Sequence, residues 1–98
     1  MNVRFSRLAS AEVEEAHDWY DSHEAGLGES FRSELSAVVE TIGSNPKLYA
    51  VAFGAMRRAV LKQFPYFLLY EVTADAVVVY GVVHCARDPA FWLARGNA

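Results

Sequence analysis

Residues Met56–Cys85 read MRRAVLKQFPYFLLYEVTADAVVVYGVVHC, three β-prone runs parted by two short breaks. Side chains alternate across a strand. In Met56–Lys62, that puts Ala59 and Leu61 on one side with Arg57, and Arg58, Val60 and Lys62 on the other. Phe64-Pro65 is a connection, since proline cannot donate within a central strand. Tyr66–Val72 is aromatic and branched, and Thr73-Ala74-Asp75 makes a turn. Ala76–Cys85 is nearly all valine with Tyr80, apolar on both faces, as in a central strand covered on each side. Connections this short imply antiparallel neighbours.

Upstream, the period changes from two to that of a helix. Leu27, Phe31, Leu35, Val38 and Ile42 recur at spacings of three and four, a helix face meeting a core. Gly43 is placed to supply a left-handed C-terminal cap, with Pro46 beyond it. Val13, Ala16 and Tyr20 form the stripe of an earlier helix, flanked by Trp19. Ser6 or Ser10 can cap it, and Glu12, Glu14 and Glu15 fall in its first turns, where the helix dipole favours negative charge. Gly26 and Gly28 end it near His23–Ala25, so the two helices form a hairpin. Asn2–Phe5 is a short strand with Val3 and Phe5 on one side, and residues 44–55 are a loop. The expected fold is α+β: an N-terminal strand and a helical hairpin packed on one face of an antiparallel sheet, in the order β-α-α-β-β-β. It is expected as a single domain over residues 1–98.

Composition narrows the classes. The chain is 53% hydrophobic and 21% charged, which excludes a disordered or fibrous protein. Its longest apolar stretch, Ala76–Val83, is far short of the roughly 20 residues a membrane helix needs. Cys85 is the one cysteine, so no internal disulfide framework exists and a reducing cytoplasm is the expected setting. A chain of this length buries only about 60–65% of its unfolded surface, so part of its apolar half lies near the surface, where a contiguous patch would mark a partner. The net charge is −3. It is unevenly spread: residues 1–43 carry Arg4, Arg7 and Arg32 against nine acids, and residues 44–98 carry six basic residues against Glu71, Asp75 and Asp88. Two differently charged faces are expected.

Metal chemistry has no support in the spacing. His17 and His23 are six apart on one helix, and His84 and Cys85 are adjacent on a strand and point to opposite faces. No cofactor is expected: Gly26-Leu27-Gly28 follows no strand and is a hairpin turn, not a phosphate cradle. No serine sits on a nucleophile elbow. Glu12, Glu14, Glu15 and Asp18 read as a solvated helix face. The basic residues offer more. Arg58 and Lys62 share a strand face away from the helices, His84 has even parity on the last strand, and Arg87 follows it. Arginine grips phosphate bidentately and histidine moves a proton near neutral pH, so the set could hold a phosphodiester. The plainer reading pairs Arg57 and Arg58 with helix acids and makes His84 a capped strand-end residue. A valine-rich floor beneath Arg58 and Lys62 would make that face a groove with a basic rim.

Taken together, Ala11-Glu12, Trp19-Tyr20, the Pro46 loop, Arg57-Arg58, Phe64-Pro65-Tyr66, Leu69-Tyr70, His84, Arg87-Asp88-Pro89, Trp92 and Arg95 resemble the RelE/ParE toxin superfamily over nearly the whole chain. They are most similar to its ParE-like, plasmid-stabilisation branch. The resemblance implies a toxin of a bacterial type II toxin–antitoxin pair, neutralised by a cognate antitoxin that wraps it. The apolar excess fits such a partner. ParE-like members poison DNA gyrase, and RelE-like members cleave mRNA on the ribosome. RelE-type nucleases commonly carry an arginine where this chain has Phe67, and often end in a catalytic tyrosine, whereas no tyrosine follows Tyr80. The gyrase reading is therefore preferred, with Arg58, Lys62, His84, Arg87, Trp92 and Arg95 as the residues meeting target or antitoxin. The alternatives are a ribosome-dependent mRNA endonuclease using Arg58, His84 and Arg87, and an inactive relative that keeps only antitoxin binding.

Overall fold

The computed structural model describes residues 1–95, and the last three residues of the expected 1–98 domain lie outside the described residues. The three runs of the opening stretch form β3 (Met56–Val60), β4 (Tyr66–Val72) and β5 (Ala76–His84). With β1 (Asn2–Phe5) and β2 (Val51–Phe53), they make a five-stranded sheet ordered β1-β5-β4-β3-β2. Helices α1 (Arg7–His23) and α2 (Leu27–Ser44) form the hairpin on one face, and a 3₁₀ turn, Pro89–Phe91, follows β5. The α+β class and the order strand, helical hairpin, sheet are as the sequence implies.

Two features of the sheet differ from expectation. The antiparallel rule holds for β3, β4 and β5, which hairpins connect, but β1 runs parallel to β5, with Asn2 opposite Ala76. No hairpin joins that pair, so no short connection sets its direction. The expected 44–55 loop also contains β2, a three-residue strand paired with β3 through Val51 and Arg57. Its residues are all exposed, so no alternation betrays it. Two side-chain bonds hold the segment in place. The Tyr70 hydroxyl donates to the Pro46 carbonyl at 2.7 Å, and Arg57 Nη1 donates to the Tyr49 carbonyl at 2.7 Å. Arg57 thus orders the loop rather than pairing with helix acids.

The helix boundaries follow local chemistry. Ser6, not Ser10, caps α1, its hydroxyl accepting from the Ala9 amide at 3.1 Å. The first turn therefore holds no acid, and Glu12 falls beyond the reach of the helix end's charge. Gly26 turns the hairpin at φ 88°, and the Asp21 carboxylate accepts from the amides of Gly26 and Gly28 at 3.1 and 3.2 Å. Gly43 is not a left-handed cap. It lies inside α2, which closes at Asn45, and its carbonyl accepts from the N-terminal amine of Met1 at 2.7 Å.

The helices bury their stripes on the sheet around Tyr20, Phe31 and Phe64, whose rings lie 4.8 to 5.6 Å apart. A second, smaller core lies on the other face of the sheet: Met56, Phe67, Leu69, Val83 and Trp92. The valine-rich strand is covered on both sides, as its sequence requires. Between them β5 carries a bulge. Leu69 is opposite Gly81 and Tyr70 opposite Val79, leaving Tyr80 as the extra residue. The bulge reverses the alternation beyond it: Val77 and Val79 face the helices, and so does Val82.

Candidate functional site

That reversal decides where His84 points. Two residues past Val82, it stands on the helix side, its ring 5.1 Å from that of Tyr66. Arg58 stands on the opposite side, its guanidinium 5.3 Å from the centre of the Phe67 ring in the second core. The expected cluster of Arg58, Lys62, His84 and Arg87 on one face therefore does not form. Lys62 is exposed in the turn after β3, where the Glu34 carboxylate accepts from its amide and from that of Gln63. The groove expected beneath Arg58 and Lys62 is filled instead by Trp92, whose ring lies 5.7 Å from Phe67. Trp92 is only 5% exposed, so in this conformation it meets the core rather than a partner.

The groove lies on the helix side. Between α1, the end of β5 and the 3₁₀ turn is a depression of about 650 Å³, lined by Leu8, Trp19, Tyr66, His84, Arg87 and Phe91 among others. Three of its apolar walls are half-exposed: Leu8, Trp19 and Phe91. Arg87 supplies the charge. Its guanidinium lies 4.4 Å from the centre of the Phe91 ring, and among the described residues it makes no ion pair.

Tyr66 and His84 are among the polar groups of the groove. Burial, the largest influence, raises the Tyr66 hydroxyl above its ordinary pKa, and Glu15 adds to the rise while Arg87 opposes it. Tyr66 therefore remains a neutral phenol at physiological pH. His84 Nδ1 accepts from the Ala86 amide at 3.0 Å. His84 thus ends β5, lines the groove and is held by the turn that follows.

The largest departure concerns Glu12 and Arg95. Glu12 is not part of a solvated face. Its carboxylate accepts from Arg95 Nη1 and Nη2 at 2.8 and 3.0 Å, and from the Val82 amide at 3.0 Å. Both side chains are nearly covered, at 13% and 11% exposure. Glu14, Glu15 and Asp18 are exposed as expected. Among the described residues, no three His, Cys, Asp or Glu side chains are grouped as a metal requires, and no helix is long and apolar enough to cross a membrane.

The family described as ParE toxin of type II toxin-antitoxin system, parDE, matches residues 3–89. The chain belongs to the ParE toxin family. Its fold is shared with a chain of the chromosomal ParDE toxin–antitoxin system from P. aeruginosa, at TM-score 0.76 and 14% identity over 86% of this chain and 95% of that one. No curated protein sequence matches. The toxin thus carries, on the ParE scaffold, a partly apolar groove beside an arginine with no ion-pair partner among the described residues, and a largely covered ion pair that no local pattern in its sequence announces.

Proposed function

We propose that this toxin acts in the cytoplasm on DNA gyrase and is neutralised by a cognate antitoxin, with the groove beside α1 as the contact surface. Arg87 is the residue that meets the partner's negative charge, and Leu8, Trp19 and Phe91 receive its apolar side chains. The observation that favours gyrase over mRNA is the division of the basic residues. Metal-independent RNA cleavage needs a base, an acid and a cation around one phosphate. Here Arg58 lies on one face of the sheet, and His84 and Arg87 border the groove on the other.

The test is a supercoiling assay with purified gyrase and antitoxin-free toxin, run beside ribosome-dependent mRNA cleavage. Inhibited supercoiling with intact mRNA is expected, and Arg87→Ala should weaken the inhibition at least about tenfold, as loss of a hydrogen-bonded charge does. Cleaved mRNA with unaffected gyrase would overturn the reading and make His84 the residue to mutate. If neither target responds, antitoxin binding is the activity that remains.

A further inference from the structure

β5 has an uncovered edge. β1 pairs with it only as far as Val79, whose carbonyl accepts from the Ser6 amide at 2.9 Å before the chain turns into α1. From Tyr80 onward no strand among the described residues lies on that side, and the bulge leaves backbone groups pointing outward. Two side chains take the place of the missing strand. Glu12 accepts from the Val82 amide, and Arg95 Nη1 donates to the Tyr80 carbonyl at 3.2 Å. The polarity is matched, carboxylate to N–H and guanidinium to C=O, and the two side chains also bind each other. Gly81 makes the approach possible: a Cβ there would lie 2.6 Å from Arg95 Nη1.

The pair joins elements far apart in the chain. Glu12 belongs to α1, and Arg95 ends the segment that begins at Pro89. That segment also carries Trp92, buried on the far face, and Phe91, whose ring lies between Arg87 at 4.4 Å and Arg95 at 4.8 Å. Arg95 is therefore fixed by Glu12 and fixes Phe91, and Phe91 is the surface on which Arg87 rests.

We propose that Glu12 and Arg95 are a clasp. They close residues 89–95 as a strap over the open edge of β5, and act as positioning residues that hold Phe91 and Arg87 at the groove. On this assignment Arg95 acts inside the fold and does not itself meet the target.

The clasp is tested on the free toxin. Arg95→Ala should make chymotrypsin cut after Phe91 and Trp92 on the order of tenfold faster, because local opening governs such cleavage. It should also lower the NMR order parameter of the Arg87 Nε–H from a rigid to a mobile value. Glu12→Gln keeps an acceptor for the Val82 amide and should show both effects more weakly, and circular dichroism on each variant confirms that the helices remain. Unchanged cleavage, or an unchanged Arg87 order parameter, would overturn the proposal. A further arm rests on the gyrase reading: Arg87→Ala and Arg95→Ala should each weaken inhibition of purified gyrase, and the double variant should be no weaker than Arg87→Ala alone. Additive losses would overturn the positioning role. A wild-type toxin without effect on gyrase would sink the gyrase reading, while cleavage and relaxation would still decide the clasp.

Discussion

His17 shows how one side chain makes the hairpin sensitive to pH. Its Nδ1 faces Asp18 Oδ1 at 3.1 Å and its Nε2 faces Glu29 Oε1 at 3.2 Å, bridging α1 and α2 over Gly28. The bond to Asp18 is the largest influence and raises its pKa above the ordinary 6.5; Glu29 adds to this, while burial and Arg32 oppose it. A raised folded-state value means that protonation favours the fold. The contribution is present in full below 6.5 and is lost as pH rises through the raised value. Melting temperatures of wild type and His17→Gln should therefore converge as pH rises from about 5.5 to about 8; a constant difference would refute the bridge. The residue scale is also where the sequence was hardest to read. Glu12 sits among exposed acids, and its partner Arg95 lies 83 positions away. No periodicity within α1 distinguishes it. Even parity on the last strand groups His84 with Arg58 and Lys62, and one extra residue at Tyr80 reverses that parity. Gly81, a lone glycine in a valine run, was the available sign of a bulge.

At the scale of elements, legibility followed the strength of each pattern. The α2 stripe named Phe31, Leu35 and Ile42, all of which are buried. Phe31 lies between Tyr20, Phe64 and Tyr66, with no exposed surface. Phe31→Ala should cost about 3–5 kcal/mol in denaturant unfolding, the range for deleting a core aromatic ring; a loss below about 1 kcal/mol would mean that the cluster collapses to fill the space. The three strands of the opening stretch were equally plain because each alternates or is apolar throughout. β2 was not, since a short exposed edge strand owes its order to β3, Arg57 and Tyr70 rather than to its own residues. Gly43 was misread for a related reason. Its helix runs on because the N-terminal amine meets its carbonyl, a contact no local rule supplies.

For the whole molecule, the sheet is a partition with a core on each side. The apolar run of β5 announced both, but not that the last turn of the chain would roof the second. A chain ending at Asp88 would lack Trp92 and leave Met56, Phe67, Leu69 and Val83 bare on one face. Such a truncation should keep its helical circular dichroism yet bind the dye ANS strongly, and full-length protein should not; equal dye binding would show that Trp92 does not seal that face. The charge division seen in the sequence maps onto the same architecture, with the acidic excess on the helical layer and the basic residues in the half that builds the sheet. The pairing of β1 with β5 has a consequence in time. Asn2 is synthesised long before Ala76, its neighbour in the sheet, and Glu12 must wait longer still for Arg95. Helices α1 and α2 can form as they emerge, but the sheet cannot take in its first strand until its last has been made. A growing chain therefore lacks a finished groove until β5 and the segment through Arg95 have both been made.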